Sequence, residues 1–330
     1  MQYTTLGRTG LRVSVAGLGC GGFSRLGLGT GKSRAEAEAI VRRALELGVT
    51  LFDTAAAYGT EPVVGSALKG TRRDQVVICT KALVPGGDPK AAAKTVTDSL
   101  DSSLRALHTD HVDVFQLHGV PPSEYERACD AIAPALLREK AKGKLRHLGI
   151  TETAPGDPEH AMLARAAADG LWDTVMVAFH MLHQNARRAV FPLTREHQVG
   201  TLLMFAVRKI FAQPGLLADT LRALAEAGQI PAELAATPAP LDFLIHPDGA
   251  RSLQDAAYRY ARHEPGVDVV LFGTGDLGHL ETNLASIVKP PLPEPDRARL
   301  AALFEHLVGV GLDRPDRITK LRASKAAGSG

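Results

Sequence analysis

Short apolar runs alternate with amphipathic stretches from Val15 onward. Leu51-Phe52-Asp53-Thr54, Val76-Val77-Ile78-Cys79-Thr80 and Val112-Asp113-Val114-Phe115-Gln116-Leu117 read as buried strands, and residues 145–150, 174–178, 200–204 and 267–272 continue the series. Between them lie helices with clear ends. Ser33 opens one with Glu36 three residues on as a capping box, and Gly48 stops it after Leu47. Asp88-Pro89 opens a long helix through about Leu107. Residues 124–142 form another, stopped by Gly143, with Pro134 placed to kink or split it. This alternation predicts an α/β fold of parallel strands with helices outside, and the length suits one barrel with an insertion and a tail. Residues 213–247 break the rhythm, with Pro214, Pro231, Pro238, Pro240 and Pro247 around one helical segment, 216–227. We read about 212–250 as an insertion after the seventh strand, over the catalytic face. Residues 1–321 form a single barrel, and 322–330, with no apolar pattern, are expected to be a disordered tail.

The strand ends carry the chemistry. Asp53 closes one run, with Tyr58 on the loop beyond it; Lys81 and His118 close the next two. In a parallel barrel these ends open on one face. Tyr, Lys, Asp and His together suit proton transfer to or from a carbonyl or alcohol oxygen. A phenol titrates near ~10, and an ammonium beside it favours the phenolate. The expected roles are Tyr58 as general acid/base, Lys81 tuning it, Asp53 holding Lys81, and His118 orienting the substrate oxygen or assisting the proton transfer. No side chain supplies a hydride, so an organic cofactor must.

Composition narrows the field. With 38 basic and 36 acidic residues the net charge is +2, which offers no argument for nucleic acid or an anionic membrane. No run of about 18 apolar residues and no leader-like start occurs, so a cytoplasmic protein is expected. Cys20, Cys79 and Cys129 read as reduced thiols, and no Cys/His spacing suggests a metal site.

From about Tyr3 to Ile287 the chain resembles the aldo-keto reductases. The likeness rests on Leu6-Gly7-Arg8-Thr9-Gly10-Leu11-Arg12-Val13-Ser14, Gly17-Leu18-Gly19-Cys20-Gly21, Phe52-Asp53-Thr54-Ala55 with Tyr58-Gly59 and Glu61, Thr80-Lys81, Leu117-His118, Gly143-Lys144-Leu145-Arg146-His147-Leu148-Gly149-Ile150, and Gly273-Thr274-Gly275 followed by His279-Leu280-Glu281-Thr282-Asn283. It implies a (β/α)8 TIM barrel plugged by an N-terminal hairpin, NAD(P)(H)-linked carbonyl–alcohol interconversion, and a catalytic tetrad at Asp53, Tyr58, Lys81 and His118. The cofactor contacts it implies are Gly19, Cys20, Gly21, Asp53, Thr151, Glu152, Met176, Met204, Gly273, Thr274, Gly275, Asp276, His279 and Asn283. Several depart from the family pattern. Thr151 and Glu152 replace the Ser-Asn that holds the nicotinamide amide. Met176 stands for a Gln, and Met204 for the Tyr that stacks on the ring. Gly275, followed by Asp276, stands where a basic residue grips the adenosine 2′-phosphate. The cofactor is therefore NADP or NAD, with NAD favoured.

Other residues keep two readings. Gly273-Thr274-Gly275 is a tight turn with Asp276 as a plain N-cap, or an anion site for the cofactor phosphate. Arg208-Lys209 is a solvated pair or a pyrophosphate clamp. His180 and His183 face the substrate or only pack. Phe23 suits a substrate wall, and Trp172 suits packing on the far side. The leading function is an oxidoreductase on small aldehydes, ketones or sugars. The alternatives are an NAD-dependent aldose or sugar dehydrogenase and, of another class, a cofactor-holding regulatory module like a channel subunit. A glycosidase is set aside for want of paired acids. Substrate and oligomeric state are not readable.

Overall fold

A computed structural model describes residues 1–313. Tyr3–Thr5 (β1) and Arg12–Ser14 (β2) form an antiparallel hairpin, Tyr3 opposite Ser14. Eight parallel strands then close a barrel: Ala16–Gly19 (β3), Leu51–Asp53 (β4), Val77–Leu83 (β5), Val112–Val120 (β6), Leu145–Glu152 (β7), Thr174–Ala178 (β8), Gly200–Met204 (β9) and Val269–Phe272 (β10). β10 pairs with both β9 and β3, which completes the ring. The expected hairpin, barrel and insertion after the seventh barrel strand are all present.

Side-chain alternation along each strand splits the core in two. One cluster lies between the barrel and its helices. The other fills the barrel interior: Leu51, Val77, Cys79, Val114, Met176, Leu202 and Val269, sealed below by Leu6, Leu11 and Val13 of the hairpin. The inward column of β4 steps from Leu51 to Asp53, that of β5 from Val77 through Cys79 to Lys81, and that of β6 from Val114 through Gln116 to His118. The interior is thus apolar at the hairpin end and, along β4 to β6, polar at the mouth.

Three strands overrun their expected ends. β5 continues to Leu83 and β6 to Val120, so Lys81 and His118 lie inside strands rather than at their termini; β7 reaches Glu152. A buried Lys reads as a terminus only when its partner is unseen, and here Asp53 on the neighbouring strand β4 is that partner. β10 starts two residues later than expected, at Val269. The helix ends match their signals. Ser33 makes the full capping box with Glu36, and Asp88 caps Pro89–Leu107. Pro134 follows a π turn at Ala128–Ile132 and opens the helix Ala133–Ala141, so the segment is split as its lost N–H demands. The insertion carries more helix than expected. Pro214 opens Pro214–Glu226, Pro231 precedes Ala232–Ala235, and Lys209–Ala212 adds a turn. These prolines start helices rather than break them. The expected tail at 322–330 lies outside the described residues.

Candidate active site

Lys81 is fully buried, and its Nζ lies 2.7 Å from both carboxylate oxygens of Asp53 and 2.8 Å from the Thr54 carbonyl. Its three N–H donors have three acceptors, so it acts on its surroundings through charge. Gln116 Nε2 donates to Asp53 Oδ1 at 3.3 Å. Beside Lys81, Glu61 accepts the Thr80 hydroxyl at 2.6 Å and steadies that turn of strand from behind. Lys81 Nζ is 5.1 Å from the centroid of the Tyr58 ring. The Tyr58 hydroxyl lies 3.4 Å from His118 Nε2, and the two rings meet edge to face. A Cβ at Gly21 would stand 2.4 Å from the Tyr58 ring, so glycine at the end of β3 lets the phenol lie where it does. The four expected residues are therefore one cluster.

Burial raises the pKa of Asp53, opposed by Lys81. Burial works against the Lys81 ammonium too, but the Asp53 carboxylate and the Tyr58 hydroxyl outweigh it and hold Lys81 above its ordinary value. Tyr58 departs from the expected direction. Burial pushes the phenol up, and the Lys81 charge only moderates that rise. Tyr58 accordingly keeps its proton at neutral pH.

The cluster opens into a cavity of ≈ 290 Å³ bounded by Gly19, Gly21, Gly273, Asp53 and Phe23, and into a smaller one of ≈ 100 Å³ bounded by His118, Thr151 and Glu152. Tyr58, Met176, Met204, Phe205 and Arg208 border both. A larger hollow, ≈ 710 Å³, lies among segments leading into β5 and β6, at the opposite end from the tetrad. Among the described residues, no group of three or more His, Cys, Asp or Glu is placed to hold a metal ion, and no helix is long and apolar enough to cross a membrane.

The remaining expected residues divide. Cys20 is fully buried and borders neither cavity; its N–H donates to the Asp53 carbonyl at 2.8 Å, and burial pushes its thiol far up. Thr151 accepts the Gly119 N–H at 2.6 Å. The Glu152 side chain is sealed, taking the Ala178 N–H and His160 Nδ1, each at 2.7 Å. Thr274 bonds its hydroxyl within the turn, to Asp276. Asp276 accepts the His279 N–H at 2.9 Å as the N-cap of the helix Leu277–Ile287. A Cβ at Gly275 would lie 2.4 Å from Gly27 Cα, so the segment after β3 covers that position. His279 is exposed and Asn283 half-buried on the same helix.

His180 and His183 are buried and border neither cavity. His180 Nδ1 accepts the Leu182 N–H, and His183 Nδ1 the Gly309 N–H. Arg208 is not a solvated residue: it pairs with Asp313 at 2.8 Å and stacks 3.9 Å from the Phe205 ring centroid. Phe205 itself sits at φ 75°, a backbone region that a bulky residue avoids and that concentrates at functional sites. Phe23 borders the larger cavity with the Lys209 ammonium 4.1 Å from its ring. Trp172 is fully buried and donates to the Tyr125 hydroxyl. Sequence reading missed Gln116, although period-2 alternation from His118 points inward at it. It also missed His160 and Asp313, whose partners are distant or unpatterned.

A parallel barrel with a buried Lys–Asp pair beneath a Tyr and a His defines a class, the barrel enzymes that work at the carboxyl ends of their strands. The family model "Aldo/keto reductase family" matches residues 17–305, and the chain belongs to that family. It is 26% identical over 324 residues to the aldo-keto reductase YhdN of Bacillus subtilis (strain 168), covering 93% of this chain and 95% of that one. An L-galactose dehydrogenase of Arabidopsis thaliana is 34% identical over 157 residues, 46% of this chain and 48% of that one. Among solved structures, the holo form of aldo-keto reductase AKR11C1 from Bacillus halodurans superposes with a TM-score of 0.67 at 26% identity, covering 92% of this chain and 96% of that one. The chain is thus an oxidoreductase of a family that interconverts carbonyls and alcohols with a nicotinamide cofactor.

Proposed function

We propose that the protein interconverts a small aldehyde, ketone or sugar and its alcohol, with Tyr58 moving the proton. The observation that carries this reading is the buried Lys81–Asp53 pair under a phenol that meets His118 at the mouth of the barrel. The cavity fits a nicotinamide cofactor. Gly19, Gly22 and Gly273 border one side without side chains, a Cβ at Gly22 would touch nothing within 4 Å, and Met176 and Met204 offer an apolar face opposite Tyr58. A nicotinamide held there supplies or accepts the hydride.

In reduction, the Tyr58 hydroxyl donates a proton to the oxygen developing on the substrate. Lys81 stabilises the phenolate that remains, and Asp53 keeps Lys81 charged and in place. His118 hydrogen-bonds the substrate oxygen and sets its angle to Tyr58. Oxidation runs the same path backward, with the Tyr58 phenolate as base. NAD(H) is the favoured cofactor because Gly275 offers no cation and Asp276 brings a negative charge where a 2′-phosphate would sit. The likeness to an L-galactose dehydrogenase favours sugars among the substrates and oxidation among the directions.

Steady-state turnover on a panel of carbonyls and sugars, with NADH and NADPH side by side, tests this. Turnover on at least one carbonyl–alcohol pair is expected. Tight cofactor binding with no turnover on any would favour the regulatory-module reading. A tenfold preference for NADPH, about 1.4 kcal/mol, would overturn the cofactor assignment.

A further inference from the structure

We propose that His160 is a buried imidazolium that clasps Glu152 and so holds the loop 153–159 as a wall of the catalytic cavity. His160 is fully buried. Its Nδ1 lies 2.7 Å from Glu152 Oε2, and its Nε2 lies 3.2 Å from Asn185 Oδ1. The Asn185 amide cannot be reversed without loss, because its Nδ2 donates to the Pro158 carbonyl at 2.7 Å. Glu152 is likewise fixed by the Ala178 N–H on its other oxygen. Both ring nitrogens therefore face acceptors, and only the doubly protonated ring donates to both.

The charges around the ring agree. Glu152 at the end of β7 and Asp157 in the loop are the two carboxylates facing it, and both raise its pKa against the burial that lowers it. His160 also stands at the N-cap of the helix Ala161–Ala168, an end that carries partial positive charge. Asp157 offsets that end by accepting the Ala161 and Met162 N–H groups at 3.0 and 2.9 Å. His183, from the segment after β8, lies 5.0 Å away, ring centroid to centroid. It is uncharged, with Nδ1 accepting from Gly309, and burial together with the His160 charge lowers it to about 3.

The clasp closes a loop on itself. Glu152 and His160 bracket residues 153–159, and Thr153, Ala154 and Pro155 border the cavity that Tyr58 and His118 share. His160 takes a left-handed backbone at φ 58°, strained for a residue with a Cβ, so the side-chain bonds hold a bend the backbone resists. His160 is a positioning residue, since it touches the wall and not the reacting atoms. With its pKa raised in the fold, its bond is fully formed below the ordinary His value of about 6.5 and is lost as pH rises through the folded value. Burial raises Glu152 too, so the clasp also opens at the acid end, when that carboxylate is protonated.

Two measurements test this without reference to activity. Nitrogen-15 NMR of the histidine rings should show His160, assigned with His160→Asn, protonated on both nitrogens at neutral pH. A singly protonated ring there overturns the charge assignment. Asn tolerates the left-handed backbone but carries no charge. In that variant, amide hydrogen exchange over 153–159 at fixed pH should quicken by about tenfold against the rest of the barrel. Equal exchange overturns the clasp. A third measurement rests on the function proposed above. The KM for the carbonyl substrate should rise with pH through the His160 titration in the wild type, and be high and flat in His160→Asn, with kcat changed far less. An unchanged KM profile removes the link to the substrate wall, whereas absence of any carbonyl turnover in the wild type would strike the proposed function and leave the first two results standing.

Discussion

The two sides of the barrel mouth are built from opposite materials. On β4, β5 and β6 the inward columns end in Asp53 and Lys81, bound to each other, and in His118, which meets the Tyr58 hydroxyl. On β8, β9 and β10 the same columns end in Met176, Met204 and Leu271, which pack with the apolar core of the interior. One wall carries the groups proposed to move the proton and tolerates little change, because the Lys81 and Asp53 charges there are desolvated and held by each other. The other wall offers shape and polarisable surface, where a flat ring can lie and many side chains can serve. The contrast predicts that substitutions should differ in size and in kind across the mouth.

The largest effect belongs to Tyr58. Tyr58→Phe keeps the ring against Gly21 and removes the hydroxyl, so cofactor binding should persist while turnover falls by roughly 10²–10⁴. Near-native turnover in this variant would break the contrast at its centre, since the protic wall would then hold no acid.

That wall was legible in the sequence for a physical reason. Asp, Lys and His at the mouth of buried strands leave a visible break in apolar runs, and period-2 alternation tells which way they point. The apolar wall left no such mark: Met176 and Met204 look like any core methionine and gained meaning only from family resemblance. Strand ends at Lys81 and His118 were misread because a charge in an apolar run signals a terminus unless its partner is known, and Asp53 is 28 residues away from Lys81. Arg208–Asp313 spans 105 residues and His160–Asn185 spans 25, and neither has a periodicity that would join its partners.

The second effect concerns the pair beneath Tyr58. Lys81→Met strands the Asp53 carboxylate with Gln116 as its remaining side-chain donor, so stability to denaturant should drop by about 3–5 kcal/mol. The phenol is already held above its ordinary value, and the Lys81 charge is what moderates it. Alcohol oxidation with the Tyr58 phenolate as base, as proposed, should quicken as pH rises. Without Lys81 that rise should move to still higher pH. Lys81→Met with Asp53→Asn should recover much of the stability and none of the activity, which separates holding the fold from tuning the acid. An unchanged pH profile in Lys81→Met would place Lys81 outside the chemistry.

On the apolar side the changes should be milder. Met204→Ala removes polarisable surface from the wall opposite Tyr58 and should weaken cofactor binding by about 1 kcal/mol, roughly fivefold, with kcat much less affected. A dye-free fluorescence titration with NADH reads this directly. A collapse of turnover comparable to that of Tyr58→Phe would mean that Met204 belongs to the reacting centre, and the two walls would no longer differ in kind.

The smallest effect is at the adenosine end. Gly275→Arg would be the obvious way to create a phosphate grip, but its Cβ would stand 2.4 Å from Gly27 Cα and displace the segment after β3. Asp276→Ser avoids that conflict. Asp276 is exposed, and its carboxylate is drawn below its usual range by the His279 N–H it caps. Serine keeps the cap and removes the charge. If the Asp276 charge is what repels a 2′-phosphate, the ratio of dissociation constants should move toward NADPH by about twofold to fivefold, and the shift should shrink as salt screens the exposed site. NADH binding should change little, because serine can still accept a ribose hydroxyl. An unmoved ratio at low salt would mean that this turn does not read the adenosine, and selectivity would then have to come from elsewhere along the cleft.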